Sequence, residues 1–205
     1  MVTHAALIEG VEQLGLSLSR AQLEQCQAYM NLIQKWNKAY NLVGTSDTQT
    51  LIEKHLLDSL AISPFIQQTP VLDVGSGAGL PGILLAIAHP EIEFTLCDSN
   101  GKKARFMRQS VIELGLKNVT VEHGRIQSYH AEQAPMIVMS RAFAPLQEAL
   151  EILADVCHSR GQVMIMLGLK PSTLPTADTI KTIINHEIAV PGLESQRHLL
   201  VAKQQ

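Results

Sequence analysis

The run Val71-Leu72-Asp73-Val74-Gly75-Ser76-Gly77-Ala78-Gly79-Leu80-Pro81-Gly82 constrains this chain more than any other segment. Val71, Leu72 and Val74 make a short apolar, β-branched run suited to a central strand. Three glycines at alternating positions then let the backbone turn tightly against a ligand. Pro81 stands where a helix can begin, because proline at the first helical position forfeits only an amide hydrogen that has no partner there. Strand, glycine turn and helix together form a cradle for a nucleoside cofactor. Such a cradle calls for an acidic residue on the ribose about 20 residues further on, at the end of the next strand. Phe94-Thr95-Leu96-Cys97-Asp98 supplies it.

The glycine spacing separates two cofactor classes. Nicotinamide and flavin sites carry G-x-G-x-x-G or G-x-G-x-x-A, the last small residue letting helix and strand pack closely. Counted from Gly75 and Gly77 that position is Leu80, which conflicts with the dinucleotide pattern. Asp73 followed by Gly75-x-Gly77-x-Gly79 instead resembles S-adenosylmethionine-dependent methyltransferases of the Rossmann-like class. A glycine-rich loop without a ligand accounts for the glycines but not for the spacing to Asp98.

Residues 1 to about 66 read as a helical extension that precedes a cofactor domain spanning 67–205. Ser19-Arg20-Ala21-Gln22 is a capping box, and Leu23, Cys26, Met30, Ile33 and Trp36 follow it as one apolar stripe. Gly44 is expected to end that segment. Leu51, Ile52, His55, Leu56, Ser59 and Leu60 repeat the pattern in a second helix that stops before Pro64. These stripes must cover something. From residue 70, apolar runs at 71–74, 92–97, 119–121, 136–139 and 163–167 alternate with helical patterns. That alternation implies right-handed crossovers and a mostly parallel, doubly wound α/β sheet. Thr182 to Val190 and His198 to Ala202 read as strands joined by Pro191-Gly192-Leu193-Glu194, an antiparallel hairpin at one edge. Such a hairpin is a familiar finish for Rossmann-like class I methyltransferases.

At 205 residues one compact unit is expected, and 46% hydrophobic with 17% charged residues excludes a mainly disordered chain. No 18-residue apolar run occurs, and Met1-Val2-Thr3-His4 does not open a signal peptide, so a cytoplasmic protein without a membrane partner is expected. Cys26, Cys97 and Cys157 are odd in number and far apart, which fits reduced thiols better than disulfides or a zinc site. The net charge of −3 offers no general attraction for nucleic acid, and no DNA partner is expected. RNA would have to be held by local patches. One such patch exists: residues 99–125 carry a net +4, leaving −7 for the rest. Lys102, Arg105 and Arg108 recur along one helix face there, while Phe106, Ser110 and Leu114 face inward. A solvated face is the plainer reading of that stripe. Lys35-Trp36-Asn37-Lys38-Ala39-Tyr40-Asn41 adds basic residues interleaved with aromatics, a mix that can grip phosphates and stack bases, although Trp36 reads as core.

In an open α/β sheet, ligands collect outside the carboxyl ends of the strands near the switch point in strand order. Four segments meet there: Gly75 to Gly82, Asp98, Gly124-Arg125-Ile126-Gln127 and Ser140-Arg141-Ala142-Phe143. The glycine turn is expected to hold the cofactor's amino-acid end by its backbone. Asp98 would accept from the ribose hydroxyls, or else cap the next helix. Ile126 and Gln127 are placed to meet the adenine. Arg141 does not belong beside a sulfonium, because like charges repel in a low-dielectric pocket. A cofactor carboxylate, an RNA phosphate or a structural ion-pair partner suits it better. The Asn-Pro-Pro-aromatic motif of enzymes that methylate adenine amines is missing. His55-x-x-Asp58 has the spacing of a metal pair, but no further ligand accompanies it, and a hydrogen-bonded histidine beneath the sheet is the preferred reading.

Taken in order, Lys35-Trp36-Asn37-Lys38-Ala39-Tyr40-Asn41-Leu42, His55-Leu56-Leu57-Asp58-Ser59, Asp73 to Gly82, Ser140-Arg141-Ala142-Phe143 and Arg197-His198-Leu199 closely resemble the bacterial RsmG family, also called GidB. The resemblance covers nearly the whole chain. It implies methylation of N7 of guanine 527 in 16S ribosomal RNA, free or within the small subunit, with S-adenosylmethionine as cofactor and no metal. It also implies that Gly75, Leu80, Ile126, Gln127 and Arg141 occupy the family's cofactor-contact positions; Gly77 and Asp98 join them from the reading of the glycine turn. The family commonly has an acidic residue where Gln127 stands, and its Leu-Lys-Gly after the fifth strand becomes Leu167-Gly168-Leu169-Lys170 here, which leaves Lys170 outside the expected site. Guanine N7 has a lone pair and no proton, so no general base is required and no catalytic side chain is assigned. A methyltransferase acting on a small metabolite and a cofactor-binding scaffold without turnover are the alternatives.

Overall fold

The computed structural model describes residues 4–45, 47–141 and 144–204. Two helices lead the chain, α1 (His4–Gln13) and α2 (Arg20–Tyr40). The expected capping box starts α2: the Ser19 hydroxyl accepts from the Gln22 amide, and the Gln22 side chain accepts from the Ser19 amide. Cys26, Met30 and Ile33 of its apolar stripe are buried, and Trp36 packs edge-on against Phe106 at 5.7 Å, as core rather than platform. The helix stops at Asn41, whose φ of 48° is left-handed, and not at Gly44. Asparagine is among the few side chains that take this conformation readily, so the stop comes three residues early.

The second helical segment departs further from a simple stripe. It runs through α3 (Thr48–Leu51), a π-helix (Ile52–Leu57) and α4 (Asp58–Leu60), with a 3-10 turn at Ser63–Phe65 before the sheet begins. Leu56 through Leu60 are all buried, so this stretch is enclosed on every side instead of lying on a surface.

The α/β part follows as β1 (Val71–Val74), α5 (Gly82–Ala88), β2 (Phe94–Asp98), α6 (Gly101–Leu114), β3 (Val119–His123), a 3-10 turn (Ile126–Ser128), β4 (Ile137–Arg141), α7 (Leu146–Val156), β5 (Gln162–Leu167), β6 (Ile180–Glu187) and β7 (His198–Gln204). Seven strands form one sheet in the order β3-β2-β1-β4-β5-β7-β6. The first five are parallel, and β7 runs antiparallel between β5 and β6. This is the expected Rossmann-like α/β sheet with its C-terminal antiparallel hairpin. The hairpin connection is longer than four residues, because β6 ends at Glu187 and β7 begins at His198.

Alternate residues of β1 face opposite layers. Leu72 and Val74 join Leu150, Leu153 and Val163 beneath α7, whereas Val71 joins a larger cluster that also contains Leu7, Tyr29, Ile33, Leu60, Ile83 and Phe106. The N-terminal helices therefore share a core with one face of the sheet. One face of α2 fastens them there: Gln22 Nε2 donates to the carbonyls of Ile87 and Ala88, Gln25 Nε2 to that of Leu114, and the Tyr29 hydroxyl to that of Ala78. The first three acceptors lie at the ends of α5 and α6, where carbonyls lack intrahelical partners.

Switch-point geometry comes from the β1 neighbours. β2 lies on one side, β4 on the other, and the strand order reverses between β1 and β4. Helix α5 begins at Gly82, with Pro81 at the cap and the Leu80–Pro81 peptide cis, so the proline stands one position before the first helical residue where it was expected. The Gly82 amide donates to Asp73 Oδ2 at 3.1 Å. A Cβ at Gly82 would meet Leu96 Cδ2 and lie 2.8 Å from Asp73 Oδ2. The close helix–strand contact that a dinucleotide pattern assigns to the position of Leu80 is thus made two residues later. Gly82→Ala should cost about 1–3 kcal/mol of stability through overpacking, read as a lower urea midpoint; an unchanged midpoint would contradict this contact.

Candidate functional site

At the carboxyl ends of β1, β2 and β3 lies a cavity of about 530 Å³, walled by Gly75, Cys97, Asp98, Asn100, Lys103 and the Gly124–Gln127 loop. The parallel register brings Val74 beside Cys97 and Asp98 beside His123, so the loops after the three strands open into one crevice. Gly75, Gly77 and Gly79 all have left-handed φ, of 68°, 62° and 86°. A Cβ at Gly77 would find no atom closer than 3.9 Å, so backbone conformation rather than lack of space requires glycine there.

Asp98 organises the loop. Its Oδ2 accepts from the Gly77 amide and its Oδ1 from the Asn100 amide, both at 2.8 Å. Helix α6 is capped by Asn100, whose side chain accepts from Lys102 and Lys103, and not by Asp98. Beyond its two bonds the Asp98 carboxylate retains acceptor positions, because an ionised carboxylate offers about four. Asp73 is fully buried. Its Oδ1 has no hydrogen-bond partner among the described residues, and burial pushes its carboxyl up to about 7.

The expected site residues divide into two groups. Gly75, Asp98, Ile126 and Gln127 wall the cavity, with Ile126 buried and Gln127 exposed. Gly77 is not part of the wall and has its amide held by Asp98, Leu80 is 2% exposed in the core, and Arg141 ends β4. Ala142 and Phe143, named with Ser140 and Arg141 as one candidate segment, lie outside the described residues. Lys170 is exposed. Lys103 is a wall residue that spacing alone did not single out.

Arg141 meets a partner that the sequence reading left without a role. Asp58, 4% exposed, receives Arg197 Nε on Oδ1 at 3.0 Å and stands 3.6 Å from Arg141 Nη1 through Oδ2. Burial raises the Asp58 carboxyl, and the two guanidinium groups act against it. The signal was an acidic residue inside the apolar run Leu56-Leu57-Asp58-Ser59-Leu60, which requires paired charge at a buried site. His55 corrects an expectation. Its Nδ1 is buried without a hydrogen-bond partner among the described residues, so it is not the satisfied core histidine that was preferred. Burial, with Arg141, Lys54 and Arg197 nearby, pushes its pKa down to about 4, leaving a neutral ring. No group of three metal-ligating side chains occurs among the described residues. The three cysteines are free, and burial pushes the Cys97 thiol up to about 11, which leaves little thiolate at neutral pH.

A family model described as GidB, rRNA small subunit methyltransferase G, matches residues 22–200. The chain is 43% identical to a ribosomal RNA small subunit methyltransferase G of Alteromonas mediterranea, over 98% of this chain and 96% of that protein. It is 44% identical to the protein of the same name from Ectopseudomonas mendocina, over 96% and 94%. Among solved structures it is similar in fold to a mutant of MtNAS in complex with S-adenosylmethionine, with a TM-score of 0.53 and 16% identity over 91% of this chain and 73% of that one.

Two measurements check the buried charges. Asp73 holds its proton to about pH 7 when folded, but only to about pH 4 when unfolded. Its contribution to stability is therefore complete below about pH 4 and is lost as pH rises to about 7. The difference in unfolding free energy between wild type and Asp73→Asn should fall across that window, by up to about 1.4 kcal/mol per pH unit; a flat difference would contradict the assignment. Asp58→Ala strands two guanidinium groups and should cost about 3–5 kcal/mol in chemical denaturation. A loss within the range of exposed ion pairs would contradict the bridging role.

Proposed function

The chain belongs to the GidB family, rRNA small subunit methyltransferase G, and on that premise we propose that it transfers a methyl group from S-adenosylmethionine to N7 of the family's target guanine in 16S ribosomal RNA. The observation that carries this reading is the crevice in which Asp98 clasps a loop of left-handed glycines after β1, beside the sheet's switch point. We assign the cofactor site to Gly75, Gly77, Leu80, Asp98, Ile126, Gln127 and Arg141. Gly75 lets backbone approach the amino-acid end of the cofactor, and Gly77 and Leu80 hold the shape of the turn. Asp98 offers its remaining acceptor positions to the ribose hydroxyls. Ile126 supplies an apolar wall for the adenine and Gln127 a side-chain amide at its edge. Arg141, oriented by Asp58, presents its guanidinium to a carboxylate or phosphate. The helices of residues 1–66 act as an extension that braces the methyltransferase domain of 67–205, with Tyr29 bound to the glycine loop at Ala78.

S-adenosylmethionine, when bound, supplies a methyl group activated by its sulfonium. Guanine N7 attacks with a lone pair and loses no proton, so the protein needs no general base. Its work is alignment: fixing donor and acceptor at near-attack distance is worth about 7–11 kcal/mol of barrier. A neutral His55 and protonated thiols are consistent with that division of labour. N7 faces the deep, narrow groove of A-form RNA, so the acceptor is a base in an accessible loop. A ribosomal substrate calls for a cytoplasmic protein. No helix among the described residues is long and apolar enough to cross a membrane.

The test is methyl transfer from labelled S-adenosylmethionine to 16S RNA or small subunits, with N7-methylguanosine mapped in cells with and without the gene. An unmodified N7 in cells whose gene is intact would overturn the reading. Activity confined to metabolites would indicate a small-molecule enzyme, and S-adenosylhomocysteine binding without turnover a scaffold. Gly75→Val puts a branched side chain on a left-handed residue in the cavity wall and should abolish cofactor binding in calorimetry. Retained affinity would remove the loop from the site.

A further inference from the structure

Beside the cofactor crevice runs a larger cavity of about 1060 Å³, between the end of α2 and the outer face of α6. We propose that this groove is the track along which a single-stranded segment of the substrate RNA lays its phosphate backbone on the way to the crevice. The identity of the polyanion as RNA rests on the methyltransferase reading above; the anion-binding character of the groove rests on its own residues.

Charge is the first argument. Lys102, Arg105 and Arg108 are exposed on the groove wall with His123 beside them, and no carboxylate among the described residues lines it. None of the three cations forms an ion pair among the described residues. Arg108 is held to the wall by donating from Nη2 to the Val121 carbonyl at 3.2 Å. Like charges three residues apart on a helix repel one another, so this stripe opposes α6 unless a polyanion lies across it. It also concentrates attraction on one face of a chain whose net charge is −3.

Continuity and apolar surface are the second and third. The groove and the cofactor crevice share Asn100, so a strand lying in one reaches the mouth of the other. Ile112, 73% exposed, and the half-buried Tyr40 interrupt the cationic wall. Tyr40 is backed by Trp36 at 5.1 Å, and Trp36 in turn by Phe106, which gives its ring a rigid seat. Cations along a groove that also holds an anchored ring are what a flexible single strand requires: phosphate contacts along the backbone and a face for a base.

A second basic group, Arg160, Lys181 and Lys203, lines a smaller cavity of about 470 Å³ that shares none of the residues of the groove or the crevice and serves as control. The experiment compares full-length wild type, the triple variant Lys102→Gln/Arg105→Gln/Arg108→Gln and the control triple Arg160→Gln/Lys181→Gln/Lys203→Gln. Binding of a protein-free 16S RNA fragment containing the target loop is followed across a salt series, and S-adenosylhomocysteine binding is measured in parallel. For the groove triple, the slope of log affinity against log salt should fall by about 0.7 for each lost phosphate contact, about two units in all. Affinity at low salt should drop at least about tenfold, with cofactor affinity unchanged. Tyr40→Ala should weaken binding about fivefold or more without altering the slope. Wild-type slope and affinity in the groove triple, equal losses in both triples, or no RNA binding by the wild type would each overturn the proposal. So would loss of binding to assembled subunits with protein-free RNA unaffected, which would assign the groove to a ribosomal protein. Failure of methyl transfer by a wild type that still shows the salt-dependent difference would instead strike the proposed function.

Discussion

The close approach of Gly82 to β1 and β2 is the constraint on which the rest of the site depends. With hydrogen as its side chain, Gly82 lets the first turn of α5 sit against Leu96 and donate its amide to Asp73. That docking fixes where the glycine loop must end, while the strand fixes where it begins at Val74. The glycines between have left-handed backbones, and the Gly77 amide then falls within reach of the carboxylate at the end of β2. A buried carboxyl at Asp73 is the cost of the arrangement, since desolvation drives it toward its neutral form and leaves one oxygen unpartnered among the described residues.

A second buried carboxylate links regions far apart in the chain. Asp58, delivered by a π-helical turn, gathers Arg141 from the end of β4 and Arg197 from just before β7. The N-terminal helices are thereby tied by charge to a parallel strand and to the antiparallel hairpin, while Gln22, Gln25 and Tyr29 tie them by hydrogen bonds to helix ends and to the loop itself. Removing those helices would uncover one face of the sheet and also strand two guanidinium groups.

Much of this architecture was legible beforehand, for reasons that are local. Strand and helix periods, the Ser19 capping box and the glycine run each encode their structure within a few residues. The distance from Gly75 to Asp98 is nearly local, because it measures one helix and one strand. Less legible were features governed by partners elsewhere. The end of α2 at Asn41 in place of Gly44 reflects a choice between two residues that both tolerate a turn. That His55 Nδ1 has no partner among the described residues depends on what surrounds a π-helix, which no periodicity announces.

The amino-acid order by itself determined the parallel α/β class, the glycine turn after β1, the acidic residue at the end of β2 that holds it and the basic stripe of α6, because backbone preference and charge act over short spans of chain. Only the tertiary structure decided that Gly82 makes the tight contact, that Asp58 joins Arg141 to Arg197, and that the stripe lines a groove ending at the crevice. Those facts depend on which surfaces face one another after folding, and the energies involved, desolvation and pairing of buried charge, exist only once water has been excluded between them.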